Sequence, residues 1–145
     1  MNIINKNKRA TFEYSVLERY TAGIMLMGTE VKSIKESNVS ISEAYCFITN
    51  NEIFISGMHI ADYKKIQHTN HTPVRDRKLL LNKTEIKKLS KGIKEKGLTI
   101  IPLTVFLSET GLIKIELALV KGKKVYDKRE SIKERDQKRE SERIN

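Results

Sequence analysis

Two segments of alternating apolar and polar residues, each doubled back by a turn signal, constrain this chain more than anything else in it. In one, LTIIPLTVFL (98–107) breaks at SETG (108–111) and returns as LIKIELALV (112–120). Ile113, Ile115, Leu117 and Leu119 fall on one face, because side chains alternate along a strand with a period of two. In the other, ISEAYCFI (41–48) places Ile41, Tyr45 and Phe47 on one side and Ala44, Cys46 and Ile48 on the other. Asn50-Asn51 supplies a pair tolerant of positive φ, and EIFISGMHI (52–60) is the returning strand. A body built on two such hairpins is predominantly β.

The remaining segments fit around them. FEYSV puts Phe12, Tyr14 and Val16 at alternate positions, a further strand signal, and the short apolar run AGIMLM ends at Gly28. GTEVKSIKES (28–37) reads as a short helix. Thr29 is its expected cap, Glu30 suits the positive N-terminal end, and Val31 and Ile34 share a face. Residues 64–78, KKIQHTNHTPVRDRK, lack periodicity and read as a long loop, a place where function concentrates. Asn82 followed by Glu85 signals a capping box. Ile86, Leu89 and Ile93 line one face of the helix behind it, and Gly97 stops it. Pro102 cannot donate a ladder hydrogen bond, so it belongs at an edge or a bulge. The expected organisation is a flexible basic arm over residues 1–10, a barrel over 11–124 and a charged tail over 125–145. The barrel is a small, closed or nearly closed one of the oligonucleotide-binding (OB) type, with about six strands and two or three flanking helices.

Charge narrows the function. Of 145 residues, 28 are Lys or Arg and 18 are Asp or Glu, a net +10 that favours a polyanionic partner, nucleic acid before membrane. The cations cluster as Lys6, Lys8 and Arg9; Lys32 and Lys35; Arg75, Arg77 and Lys78; and Lys121, Lys123 and Lys124. Such groups gain affinity by displacing counterions condensed on phosphates. Lys87 and Lys88 read instead as a solvated helix face. The aromatic residues at strand positions (Phe12, Tyr14, Tyr45, Phe47, Phe54, Phe106) read as core, whereas Tyr20 and Tyr63, near strand ends, are the candidates to stack on bases. Too few platforms remain for base-by-base reading, so recognition of RNA shape and backbone is expected.

Enzymatic chemistry finds little support. His68 and His71 form H-x-x-H in a loop, without a third ligand at a recognised spacing, and the carboxylates stand mostly beside Lys or Arg. Neither metal nor cofactor is expected. The single cysteine, Cys46, lies in an apolar stretch and reads as a small buried hydrophobe, which fits a reducing cytoplasm. No secretory signal or membrane span is evident, and nothing requires a dimer, so a cytoplasmic monomer is the expectation.

The end of the chain, VYDKRESIKERDQKRESERIN, carries almost no residue that could seek a core. Glu134 to Lys138 at i, i+4 and Asp136 to Arg139 at i, i+3 would help a helix by only a few tenths of a kcal/mol each. An isolated helix of that length is marginal in water. The segment is therefore expected to be disordered alone and to order on an RNA partner, where a helix would reach roughly 25 Å.

NKRA with EY nearby, AGI, GTEVKS, GMHI, RKLLLN, KGLT and above all KGKKVYDKR, in that order, resemble the SmpB (SsrA-binding protein) family. The resemblance implies an OB-like barrel that binds the tRNA-like domain of transfer-messenger RNA (tmRNA) and delivers it to stalled ribosomes, without enzymatic activity. By the same resemblance, Lys8 and Arg9 match the basic arm, and Glu30, Lys32 and Ser33 match the helix near the RNA elbow. Arg77 and Lys78 match the start of RKLLL, and Lys121, Lys123 and Lys124 match the GKK run. Arg75 and Tyr20 join these as RNA-binding candidates. The tail, with Tyr126, Asp127, Lys128, Arg129, Lys133, Arg135, Lys138 and Arg139, is the part expected in the decoding site and empty message channel. Two departures stand out. Thr21 occupies a position where an acidic residue is expected, and Tyr126 stands where some members carry histidine. A general structured-RNA-binding or ribosome-associated OB protein is the alternative.

Overall fold

A computed structural model describes residues 2–64 and 70–122. In chain order these form β1 (Asn2–Lys6), α1 (Ala10–Glu13), β2 (Tyr14–Ile24), α2 (Gly28–Lys35), β3 (Val39–Ser40), β4 (Tyr45–Thr49), β5 (Glu52–Ser56), β6 (His59–Ile60), β7 (Arg77–Leu80), α3 (Lys83–Lys96), β8 (Thr99–Leu107) and β9 (Ile113–Gly122). The main sheet runs β1-β8-β4-β5-β7-β2-β9, and β8 also pairs with β9. That last pairing closes β8-β4-β5-β7-β2-β9 into a ring, the barrel expected from the strand pattern. The short β3 and β6 form a separate ribbon.

The two hairpins behave as their alternation predicts. β4 and β5 pair from Tyr45↔Ser56 to Thr49↔Glu52, around Asn50 and Asn51, which adopt φ of 50° and 62°. In β8 almost every residue is buried, because this strand serves two cores. Ile100 and Val105 face the barrel interior with Ile53, Ile55, Leu79, Ile115 and Leu117. Ile101 and Leu103 face outward, under a smaller cluster with Ala10, Ala118 and Val120. Strict alternation would put residues 101, 103 and 105 on one side. The register shift between Pro102 and Thr104 resets the parity, so that Val105 turns inward. Pro102 thus stands at a bulge.

α3 closes one end of the barrel. Asn82 Oδ1 accepts from the Glu85 backbone N–H at 2.9 Å, and Glu85 Oε1 accepts from the Asn82 N–H at 3.2 Å. A cap of this kind is worth about 1 kcal/mol. Leu89 and Gly92 are buried, Ile86 and Ile93 pack on the barrel core, and Gly97 ends the helix at φ 63°. α2 lies toward the other end of β5 and β7, beside Arg77 and Met58. Its N-cap is Met27, whose N–H donates to Glu30 Oε1 at 2.8 Å. Thr29, the expected cap, instead lies inside the helix and is buried. Gly57, at φ 76°, passes so close to the Glu43 carbonyl that a Cβ there would sit 2.6 Å from its oxygen.

Two expectations change. The first residues form β1 rather than a free arm, with Asn2–Lys6 laddered against Thr104–Leu107. β4 meets β8 only at Cys46↔Ile100, which leaves the rest of that β8 edge open for β1 to fill. Asn7 and Ala10 are buried behind it. The FEYSV strand begins two residues late: Phe12 belongs to the single turn α1 and is 76% exposed, not core. Tyr45 is also half-exposed, whereas Phe47 and Phe54 stack across the hairpin at 5.5 Å between ring centres. Burial pushes the Cys46 thiol well above its ordinary value, in keeping with an inert hydrophobe.

Candidate RNA interface

Glu30, on the first turn of α2, sits at the centre of a buried polar network. Its side chain is fully buried, and its carboxylate accepts from Arg77 Nε at 2.5 Å and from Arg75 Nη2 at 2.6 Å. Arg75 Nε adds a bond at 3.2 Å. Burial alone would raise the Glu30 carboxyl. The hydrogen bonds from Arg75, the Met27 N–H and Arg77 outweigh it and hold the group below the usual carboxylate range. Arg77, equally buried, spends its remaining donors on backbone oxygens: Met58 at 2.9 Å, Pro73 at 3.2 Å and Thr72 at 3.3 Å. One guanidinium therefore ties α2, the β5–β6 connection and the loop before β7 to one another.

His71 and Ser33 extend the same construction. The His71 ring is buried between the Thr29 hydroxyl and the Ile60 carbonyl, both at 2.8 Å. The carbonyl can only accept, so Nε2 carries a proton and donates to it. Ser33 Oγ donates to the Ala61 carbonyl at 2.6 Å. The last residues of the predicted long loop are thus anchored from below.

This geometry corrects several candidate contacts. Glu30, Ser33 and Arg77 have no exposed side-chain surface and cannot touch RNA in this conformation; they are posts that hold the surface. Arg75 is only partly exposed and has most of its fork on Glu30. Tyr20 packs against the barrel core and donates its hydroxyl to Glu18. Burial first, and Glu18 second, push that hydroxyl up to about 12. It is not an open stacking platform.

Of the cations that the sequence marks as RNA contacts, those exposed among the described residues are Lys32 and Lys35 on α2, Lys6, Lys8 and Arg9 around the start of α1, and Lys121 at the end of β9. Lys32 Nζ lies 5.5 Å from the centre of the Tyr63 ring, which joins the two on one face above the Glu30 network. Arg9 bridges Glu43 at 2.8 Å and Glu13 at 3.0 Å, so part of its charge is already answered. Lys78 pairs with Glu52 across β5 and β7. Lys123, Lys124, His68 and the tail residues Tyr126, Asp127, Lys128, Arg129, Lys133, Arg135, Lys138 and Arg139 lie outside the described residues.

The sequence reading missed two features. Thr21 stands directly opposite Glu116 in the β2–β9 ladder, so a carboxylate occupies this region from the neighbouring strand. Exposed Phe12 shares a groove with Lys6, Lys8 and Arg19, a placement hidden by the apparent strand alternation of FEYSV.

Comparison with known proteins agrees with this body plan. The family described as SmpB protein matches residues 4–145. An SsrA-binding protein of Cytophaga hutchinsonii is 57% identical over 143 residues, covering 99% of this chain and 94% of its own. One from Bacteroides thetaiotaomicron is 50% identical over 139 residues, covering 96% and 93%. A chain in the solved structure described as "tmRNA-SmpB: a journey to the center of the bacterial ribosome" superposes with a TM-score of 0.70 at 41% identity, over 85% of this chain and 86% of the other.

Proposed function

This chain belongs to the SmpB protein family, and from that premise we propose that it is the RNA-binding adaptor of trans-translation. It binds the tRNA-like domain of tmRNA and delivers it to stalled bacterial ribosomes. It is not an enzyme: it positions one RNA on another and makes or breaks no bond. The observation that carries this reading is the family match, which spans the barrel and the charged C-terminal segment together. No helix among the described residues is long and apolar enough to cross a membrane, and a ribosomal partner argues for the cytoplasm as its place of work.

The division of labour follows from the charge layout. The barrel holds the tRNA-like domain through exposed cations, with Lys32 beside Tyr63 as the best-placed pair and Lys8, Arg9 and Lys121 as further phosphate contacts. The buried Glu30–Arg77 network keeps that face rigid, which avoids an ordering cost at the moment of binding. The segment from Val125 onward probes the decoding site and vacant message channel. Deleting residues 125–145 tests the division. Affinity for tmRNA is expected to stay within a few-fold while peptide tagging on stalled ribosomes collapses. Equal loss of both, or of neither, would overturn it.

A further inference from the structure

Tyr63 is held by a side chain where a strand neighbour would ordinarily hold it. The Asn70 amide takes both backbone groups of Tyr63: Oδ1 accepts from the Tyr63 N–H at 3.2 Å, and Nδ2 donates to the Tyr63 carbonyl at 3.1 Å. A paired residue in an antiparallel ladder exchanges the same two bonds, supplied here by one side chain. Oδ1 also accepts from the His71 N–H at 3.1 Å. Among the described residues, no other group binds the Tyr63 backbone. His71 is buried and fixed at both ring nitrogens. Nε2 donates to the Ile60 carbonyl, so Nδ1 accepts from the Thr29 hydroxyl, each at 2.8 Å. Thr29 in turn lies one turn of α2 before Lys32, at neighbouring i, i+3 positions.

These contacts close a circuit. Lys32 Nζ lies 5.5 Å from the centre of the Tyr63 ring, Asn70 grips Tyr63 and bonds to His71, and His71 bonds to Thr29. The turn of α2 from Thr29 to Lys32 completes it. Such a circuit fixes the ring and the ammonium relative to each other. A tether that served only to close the loop could grip any backbone group near its base. Asn70 grips the residue whose ring meets a cation. An aromatic face beside an ammonium matches one nucleotide, with the base stacked on the ring and a phosphate on the cation. Left untethered, the ring would be ordered only on binding, at a cost to affinity. Asparagine suits the task because its amide offers an acceptor and a donor side by side; an ionised aspartate lacks the donor, and alanine lacks both. We infer that Asn70 is a positioning residue for RNA recognition: through His71 and Thr29 it sets the Tyr63 ring beside Lys32 as a preformed seat for one nucleotide of the tRNA-like domain. This rests on the adaptor reading above.

The test is a double-mutant cycle on the full chain, read as affinity for tmRNA by filter binding. Asn70→Ala removes the tether, and Tyr63→Leu removes the aromatic face but keeps an apolar side chain. Each alone is expected to bind about tenfold more weakly, the scale of one lost base–aromatic stack. Together they should cost little more than either, where independent sites would multiply to about a hundredfold. Tyr63→Phe should stay within about twofold of the parent, because phenylalanine keeps the stacking face. The salt dependence of Asn70→Ala should match the parent's, since every cation is retained. Circular dichroism checks the fold. Should Asn70→Ala fail to fold, Thr29→Val breaks the same circuit at its other end with a side chain of equal shape, and takes its place in the cycle. A fully multiplicative loss in the double variant, undiminished affinity in either single variant, or a loss in Tyr63→Phe equal to that in Tyr63→Leu would overturn the positioning role and leave the adaptor reading standing. A parent chain that bound no tmRNA would sink both.

Discussion

Glu30 and Arg77, 47 residues apart, meet at 2.5 Å with neither side chain reaching solvent. The pair bridges the first turn of α2 and the first residue of β7, and through Met58, Thr72 and Pro73 it fastens the loop between them. Its role is to hold a surface, and the consequences of disturbing it differ from those of removing a phosphate contact.

Arg77→Ala should cost about 3–5 kcal/mol, since it leaves a buried carboxylate short of a partner. Replacing both members by methionine should recover much of that loss, because a well-packed apolar pair of similar volume can match a buried ion pair. Urea unfolding of Glu30→Met, Arg77→Met and the double methionine variant measures this directly, and the cycle isolates their coupling. Additive losses would show that the two side chains act independently.

The lowered Glu30 carboxyl makes stability depend on pH in a definite direction. A group whose folded value lies below its unfolded one stabilises the fold fully above the unfolded value, about 4.3, and loses that contribution as pH falls through the lower folded value. Thermal midpoints between pH 6 and pH 2.5 should therefore fall more steeply in the parent than in Glu30→Gln. The Gln variant should be the less stable of the two at neutral pH, and the gap should narrow in acid.

Lys32 and Arg77 should separate in RNA binding. Lys32→Gln is expected to weaken tmRNA binding and to lower the salt slope by about 0.7–0.9, as one lost phosphate contact does. Arg77→Ala, measured where it remains folded, should leave the slope unchanged, because a buried guanidinium displaces no counterion. Filter binding across a salt series distinguishes the two.

Local signals proved legible. Asn82 with Glu85, the Ile86–Leu89–Ile93 stripe and Gly97 together specify α3, and Asn50-Asn51 specifies its hairpin, because each rests on neighbours a few residues apart. The family motifs carried the function, and the strand alternation carried the barrel. What escaped was non-local. Glu30 and Arg77 each look like surface charges until the fold brings α2 against the start of β7. Arg77 in particular reads as a phosphate contact in RKLLL, and nothing nearby in sequence announces a carboxylate beneath it. β1 escaped for a related reason: Ile3 and Ile4 are too little pattern to declare a strand, and only the unfilled edge of β8 explains it. Phe12 failed in the opposite sense, since a plausible alternation concealed a helical turn.

The closing ladder of the barrel has one further effect. Gly122 is still paired with Tyr14 when β9 ends, so the chain leaves a rigid staircase with no slack before the next residue. Whatever clamps the globular part thereby also aims the origin of everything downstream. A small tilt of the body swings that departure point like the base of a fishing rod, and the geometry of docking becomes the geometry of reach.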